Sequence, residues 1–244
     1  MRKPLPLLAR AAGLAAVLVC LQGALAQEAV IRKNIAERLP DFPKIDEVTK
    51  TPIPGIYELR IGTDLVYSDE QGNYLLEGNL VDTHTRANLT EARIAKLTAI
   101  DFASLPLKDA VVWKQGTGAR RIAVFADPNC GFCKRFERDL QQAKDVTVYT
   151  FLIPILGGDS PEKATNIWCS KDNTRAWRDW MLDGKAPAKS MGNCETPMAR
   201  NLALSRKHKV NGTPAIVFED GTRIPGALSA EQLEKQLVAS RTKS

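Results

Sequence analysis

Histidine is nearly absent from this chain: His84 and His208 are the two in 244 residues. Neither has a paired ligand nearby, and Cys169 and Cys194 stand far apart, so no metal site is expected. Zinc in particular takes four closely grouped nitrogen or sulfur ligands. Beyond residue 26 the chain also lacks any long hydrophobic run, so no membrane-integral part is expected. Neither sign of charge dominates, with 34 Lys and Arg against 28 Asp and Glu and a net charge of +6. Arg2, Lys3 and Arg10 supply half of that excess, and the remainder leaves no electrostatic case for nucleic acid as a partner. Cysteine is scarce too: of five in the chain, the four beyond residue 26 are too few for a disulfide-dense scaffold. No internal repeat or low-complexity tract appears.

The start of the chain sets its expected compartment. A positive beginning (Met1-Arg2-Lys3, then Arg10) precedes a short apolar run from Ala11 to Leu21, and Ala24-Leu25-Ala26 is an A-x-A cleavage site. The run is short for a membrane span, so residues 1–26 are read as a secretory signal peptide cut after Ala26. Cys20 would be an acylation site only with a small residue before it, and Val19 stands there. The mature product is therefore expected to be soluble and exported, with Cys130, Cys133, Cys169 and Cys194 remaining. An even number of cysteines in an exported chain points to disulfides with specific jobs.

Along the mature chain, Ala29–Leu39 has the spacing of a short helix with Ile31, Ile35 and Leu39 on one face. Strands follow: Tyr57, Leu59 and Ile61 alternate with Glu58 and Arg60, Leu65–Tyr67 comes after Gly62, Asp69–Asn73 is a turn, and Tyr74–Val81 is the next strand. A unit of four short strands and a helix buries little surface, and self-association is the usual remedy. Asn88 to about Ser104 has a helical pattern, with Asn88 as N-cap and Ile94, Leu97 and Ile100 recurring at helical spacing. The expected division is thus a signal peptide over 1–26, an N-terminal domain over 27–87, a linker helix over 88–106 and a second domain over 107–244.

In the second domain, Ile122–Ala126 is continuously apolar, as a strand covered on both faces must be. Cys130-Gly131-Phe132-Cys133 follows and opens a helix on which Cys133, Phe136 and Leu140 share a face. Val146–Ile153 is another strand, Pro161–Lys207 is largely helical, and Ala215–Phe218 leads through Asp220-Gly221 into a hairpin. Ser229 and Gln232 then form a capping box for a last helix.

A C-x-x-C sequence fits a metal half-site, a structural disulfide or a redox pair. Its context favours the last. The nucleophile in disulfide exchange is the thiolate, which an ordinary cysteine of pKa about 8.5 supplies only to a few per cent at neutral pH. A cysteine between a buried strand and a helix meets unpaired N–H groups and the positive end of the helix dipole. Cys130 is accordingly the candidate nucleophile. Cys133, one turn deeper, can attack a mixed disulfide formed at Cys130 and is the candidate resolving thiol.

Phe125-Ala126-Asp127-Pro128-Asn129-Cys130-Gly131-Phe132-Cys133-Lys134, with Gly212-Thr213-Pro214-Ala215 some 80 residues later, resembles the periplasmic disulfide isomerases of the DsbC/DsbG family, closer to DsbC. The resemblance spans essentially the whole mature chain. It departs at Phe132, where the isomerase branch typically has tyrosine. The resemblance implies an α/β thioredoxin-like domain with a helical insertion, preceded by a small α+β dimerisation domain. It implies that Pro214 is a cis-proline beside the C-x-x-C, that Thr213 and Pro214 contact substrate, and that Cys169 and Cys194 form a structural disulfide. No cofactor is implied. The implied activity is reshuffling of non-native disulfides in misfolded periplasmic proteins by a homodimer kept reduced by an inner-membrane thiol reductase of the DsbD type. Two alternatives stand beside it: a DsbG-type reductase of oxidised single cysteines, and chiefly a chaperone for unfolded chains.

Overall fold

The computed structural model of this protein describes residues 26–241, and the chain divides into two compact units, Met1–Leu97 and Thr98–Ser244. The signal-peptide expectation, with Cys20, falls on residues 1–26, and 1–25 lie outside the described residues.

The first unit is a helix over 26–38 (α1) against an antiparallel meander of β1 (Glu47–Lys50), β2 (Ile56–Ile61), β3 (Asp64–Asp69) and β4 (Leu75–Leu76) in sequential order. Period-2 alternation sends Tyr57 and Leu59 inward, where they meet Ile31 and Ile35, one helical turn apart on α1, and Ile45. Asp69 shapes the β3–β4 turn by accepting from the N–H groups of Asn73 and Tyr74. Gly72 within it has φ +64°, and a Cβ there would stand 3.1 Å from the Ile31 carbonyl oxygen. Two expectations fail here. Leu39 is exposed, because α1 ends at residue 38 and the third member of its apolar series falls outside the helix. Tyr74–Val81 is not one strand: only Leu75 and Leu76 pair with β3, while Val81 makes an isolated bridge to Asn88.

The linker helix expected over 88–106 is also shorter than its pattern. It is α2 (Leu89–Leu97), with Asn88 Oδ1 accepting from the Glu91 N–H at 3.0 Å. Arg93 ties it to the sheet through Glu47 (2.8 Å) and Glu58 (3.1 Å). Ile100, the last repeat of the apolar series, leaves the helix and enters the core of the second unit with Phe102 and Leu105. Its N–H bonds to the Gly221 carbonyl at 2.9 Å, and Asp101 caps a separate 3₁₀ turn over Phe102–Ser104.

The second unit is built on a five-stranded sheet of order β5-β7-β6-β8-β9: β5 (Val111–Gln115), β6 (Arg120–Ala126), β7 (Val146–Leu152), β8 (Ala215–Phe218) and β9 (Arg223–Pro225). Only β6 and β7 are parallel. Alternate residues of β6 serve opposite faces. Ile122, Val124 and Ala126 join the core with α3 (Gly131–Leu140), α5 (Asn173–Asp183) and α7 (Ala230–Arg241). Ala123 and Phe125 join the other, to which α6 (Met198–Lys207) adds Leu202 and Leu204. Covering on both faces explains why β6 is an unbroken apolar run from Ile122 to Ala126. Helix α4 (Ser160–Trp168) precedes α5, and Ser229 and Gln232 exchange side-chain-to-backbone bonds at the start of α7. No helix among the described residues is long and apolar enough to cross a membrane.

Candidate active site

Strand pairing assembles the site. Phe125 of β6 stands opposite Ala215 of β8 in an antiparallel register. The chain leaving β6 towards Cys130 therefore meets the chain entering β8 from Thr213 and Pro214. The Thr213–Pro214 peptide bond is cis, and the Cys130 thiol donates to the Thr213 carbonyl oxygen at 3.2 Å.

Cys130 is the N-cap of α3, in extended backbone, and its sulfur accepts from the Cys133 N–H at 3.3 Å. The helix thus aims one of its unsatisfied first-turn donors at this sulfur. Both cysteines are free thiols, with Cys130 4% and Cys133 1% exposed. The Cys133 thiol beside it, together with the Thr213 side chain and the Cys133 and Phe132 N–H groups, outweighs burial and brings the Cys130 pKa down to about 6. Thr213 Oγ1 is buried without a partner in this dithiol state, which leaves it free to donate to a thiolate. Cys133 goes the other way: burial first, then its neighbour Cys130, pushes its thiol far above the ordinary cysteine range. One sulfur is poised as an anion and the other is held as a thiol.

The loop before Cys130 is pinned from beneath. Asp127, fully buried, accepts from the Asn129 N–H (2.7 Å), the Ser160 hydroxyl (2.6 Å) and the Leu156 N–H (2.9 Å). Trp180 of α5 donates through Nε1 to the Pro128 carbonyl at 2.6 Å, and the ammonium groups of Lys134 and Lys163 lie 3.9 and 4.4 Å from its ring centroid. Phe132, between the two cysteines, is exposed with the Arg135 guanidinium 5.8 Å from its ring centroid, and Ile155 and Leu156 are exposed as well.

Cys169 and Cys194 are joined by a disulfide in the helical insertion, and are not joined to Cys130 or Cys133. Cys169 closes α4, and the neighbouring Trp168 Nε1 donates to the Glu195 carbonyl. Among the described residues no group of three His, Cys, Asp or Glu side chains could hold a metal ion. Sequence reasoning missed Asp127, Trp180 and Glu137. Glu137 is 2% exposed on α3. Its signal was present: it is the single charged residue on a helix face otherwise made of Cys133, Phe136 and Leu140.

Residues 107–240 match the thioredoxin-like domain family, and residues 22–91 match the disulfide bond isomerase protein N-terminal domain. Over 211 residues the chain is 43% identical to the probable thiol:disulfide interchange protein DsbC of Bordetella pertussis, which covers 86% of this chain and 74% of the relative. It is 27% identical over 219 residues to the thiol:disulfide interchange protein DsbC of Escherichia coli K12, covering 87% and 88% of the two chains. Among solved structures, a disulfide interchange protein from Neisseria gonorrhoeae superposes with a TM-score of 0.54 at 38% identity, over 56% of this chain and 99% of the other.

Proposed function

This chain belongs to the DsbC family of thiol:disulfide interchange proteins and is a thiol:disulfide oxidoreductase, and on that premise we propose that Cys130 and Cys133 are its redox pair. The observation that carries the reading is the Cys130 sulfur at the N-cap of α3, facing the Cys133 N–H and the carbonyl before Pro214. With a pKa of about 6, most of this thiol is thiolate at neutral pH, against a few per cent for an ordinary cysteine.

The Cys130 thiolate attacks one sulfur of a non-native disulfide in a misfolded client. A mixed disulfide forms and the other client sulfur leaves as thiolate. A client thiol then displaces Cys130 and leaves a reshuffled bond, or Cys133 displaces the client and closes the Cys130–Cys133 disulfide. Thr213 and Pro214 present backbone to the extended client beside the nucleophile, and Cys169–Cys194 braces the insertion. The oxidised pair is returned to the dithiol by an inner-membrane reductase of the DsbD type. The setting is the periplasm, reached through the signal peptide of residues 1–26. Residues 27–87 are assigned the dimerisation role, with β4, an edge strand on which Leu76 is exposed next to exposed Tyr74 just before it, as the pairing edge. Exposed Phe132, Ile155 and Leu156 suit clients that display hydrophobic side chains without a fixed sequence, and they support a chaperone activity beside the redox one.

The test is refolding of a scrambled multi-disulfide protein. Cys130→Ala is expected to abolish the gain in native pairing. Isomerisation retained by that variant would remove Cys130 from the mechanism.

A further inference from the structure

Resolution by Cys133 needs a proton acceptor. Cys133 is 1% exposed and its thiol is strongly disfavoured as an anion, first by burial and then by Cys130. Attack on the mixed disulfide nevertheless requires the thiolate. Its proton must leave within a space closed to bulk water.

Glu137 lies four residues further along α3, hence on the same face and one turn away. Side chains on a helix lean towards its N-terminus, which is the direction of Cys133. Its Oε1 accepts from Trp177 Nε1 at 2.7 Å, while Oε2 is buried with no hydrogen-bond partner. A carboxylate left half-satisfied in an apolar core is costly. Burial raises the Glu137 pKa to about 7, against the pull of the Trp177 N–H and the Arg178 guanidinium. Arg178, on α5, also donates to Gln141 Oε1 at 2.6 Å. The other elements of this core bring apolar groups, Leu233 and Leu237 from α7 and Trp113 from β5. Arg120 of β6 is engaged by Glu234 of α7.

We propose that Glu137 accepts the Cys133 proton during resolution, acting on the client through Cys133 rather than touching it. The inference rests on Cys133 being the resolving thiol. The Glu137 carboxylate takes the proton from Cys133 Sγ. The freed electron pair forms a bond to Cys130 Sγ, the bond from Cys130 to the client sulfur breaks, and the client leaves as thiolate. The two protein cysteines are oxidised to a disulfide, the client sulfur is reduced, and the proton held by Glu137 passes to solvent.

The experiment mixes reduced full-length protein with the chromogenic disulfide of thionitrobenzoate and follows release in a stopped-flow instrument. Attack by Cys130 frees the first chromophore, and resolution by Cys133 frees the second. Cys133→Ala must lose the second phase; if it does not, the resolving role itself fails. With that role secure, the wild-type second phase is expected to speed up with pH through an inflection near 7. In Glu137→Gln it should be ~100-fold slower at neutral pH, the lower end of what a positioned base contributes, and the inflection should vanish. Glutamine still accepts from Trp177 and carries no buried charge, so the variant keeps its packing. Trp177→Phe gives a second reading: without the N–H that steadies the carboxylate, the inflection should move to higher pH. A second phase of unchanged rate and pH profile in Glu137→Gln overturns the proposal, as does an unmoved inflection in Trp177→Phe.

Discussion

Cys130 and Cys133 are the same residue type three positions apart, yet they are driven in opposite directions. Cys130 faces donors, so its anion is favoured; Cys133 faces hydrocarbon, so its thiol is favoured. The folded-state pKa of Cys130 lies below the value of 9.0 that it has without these contacts. Its contribution to the stability of the reduced protein is therefore complete above pH 9 and is lost as pH falls through about 6. Ultraviolet titration of thiolate in the reduced protein should show a first inflection near 6. In Cys133→Ala that inflection should rise, because the Cys133 thiol is the largest stabiliser of the anion. Glu137 belongs to the same scale. It was passed over in the sequence because its significance lies in being buried, and a charged residue at helical spacing is ordinarily solvent-facing.

At the scale of elements, periodicity located the central pieces and misjudged the ends. The apolar runs of β6 and β7 and the face of α3 emerge correctly, because a strand covered on both sides and an amphipathic helix each impose their own repeat. The supposed rod over 88–106 failed because Ile94, Leu97 and Ile100 keep helical spacing, yet Ile94 and Leu97 stay half-buried on α2 while Ile100 enters the core of the second unit. Tyr74–Val81 failed because a strand needs a partner, and β3 reaches only Leu75 and Leu76. The insertion carrying α4 and α5 has its own staple, the Cys169–Cys194 bond, which closes a loop of sequence separation 25. In the chain-entropy account such a loop is worth roughly 3.5 kcal/mol. The double variant Cys169→Ser/Cys194→Ser should lower stability by up to about that amount in chemical denaturation, with the Cys130 titration unmoved. A shift in that titration would tie the staple to the redox centre.

At the scale of the whole molecule, the two compact units differ in how well they can stand alone. The first gathers a small core around Ile31, Ile35, Ile45, Tyr57 and Leu59 and leaves Tyr74, Leu76 and Val81 exposed. A unit this small is short of buried surface, and pairing through β4 would supply more. Leu76→Lys is expected to shift the protein from dimer to monomer in sedimentation velocity, because a charge on an edge strand opposes pairing. Wild-type protein that sediments as a monomer at micromolar concentration would dismiss the dimer.

By itself the sequence singled out Cys130 as the candidate nucleophile, because a thiol at the junction of an apolar strand and a helix owes its environment to its immediate neighbours. It also announced the family, which is written in contiguous residues. Only the tertiary structure decided that the Thr213 carbonyl lies on Cys130, 83 residues earlier, that Trp177 donates to a buried Glu137, and that α2 stops at Leu97. Those outcomes depend on which distant surfaces pack together, and no local repeat encodes that choice.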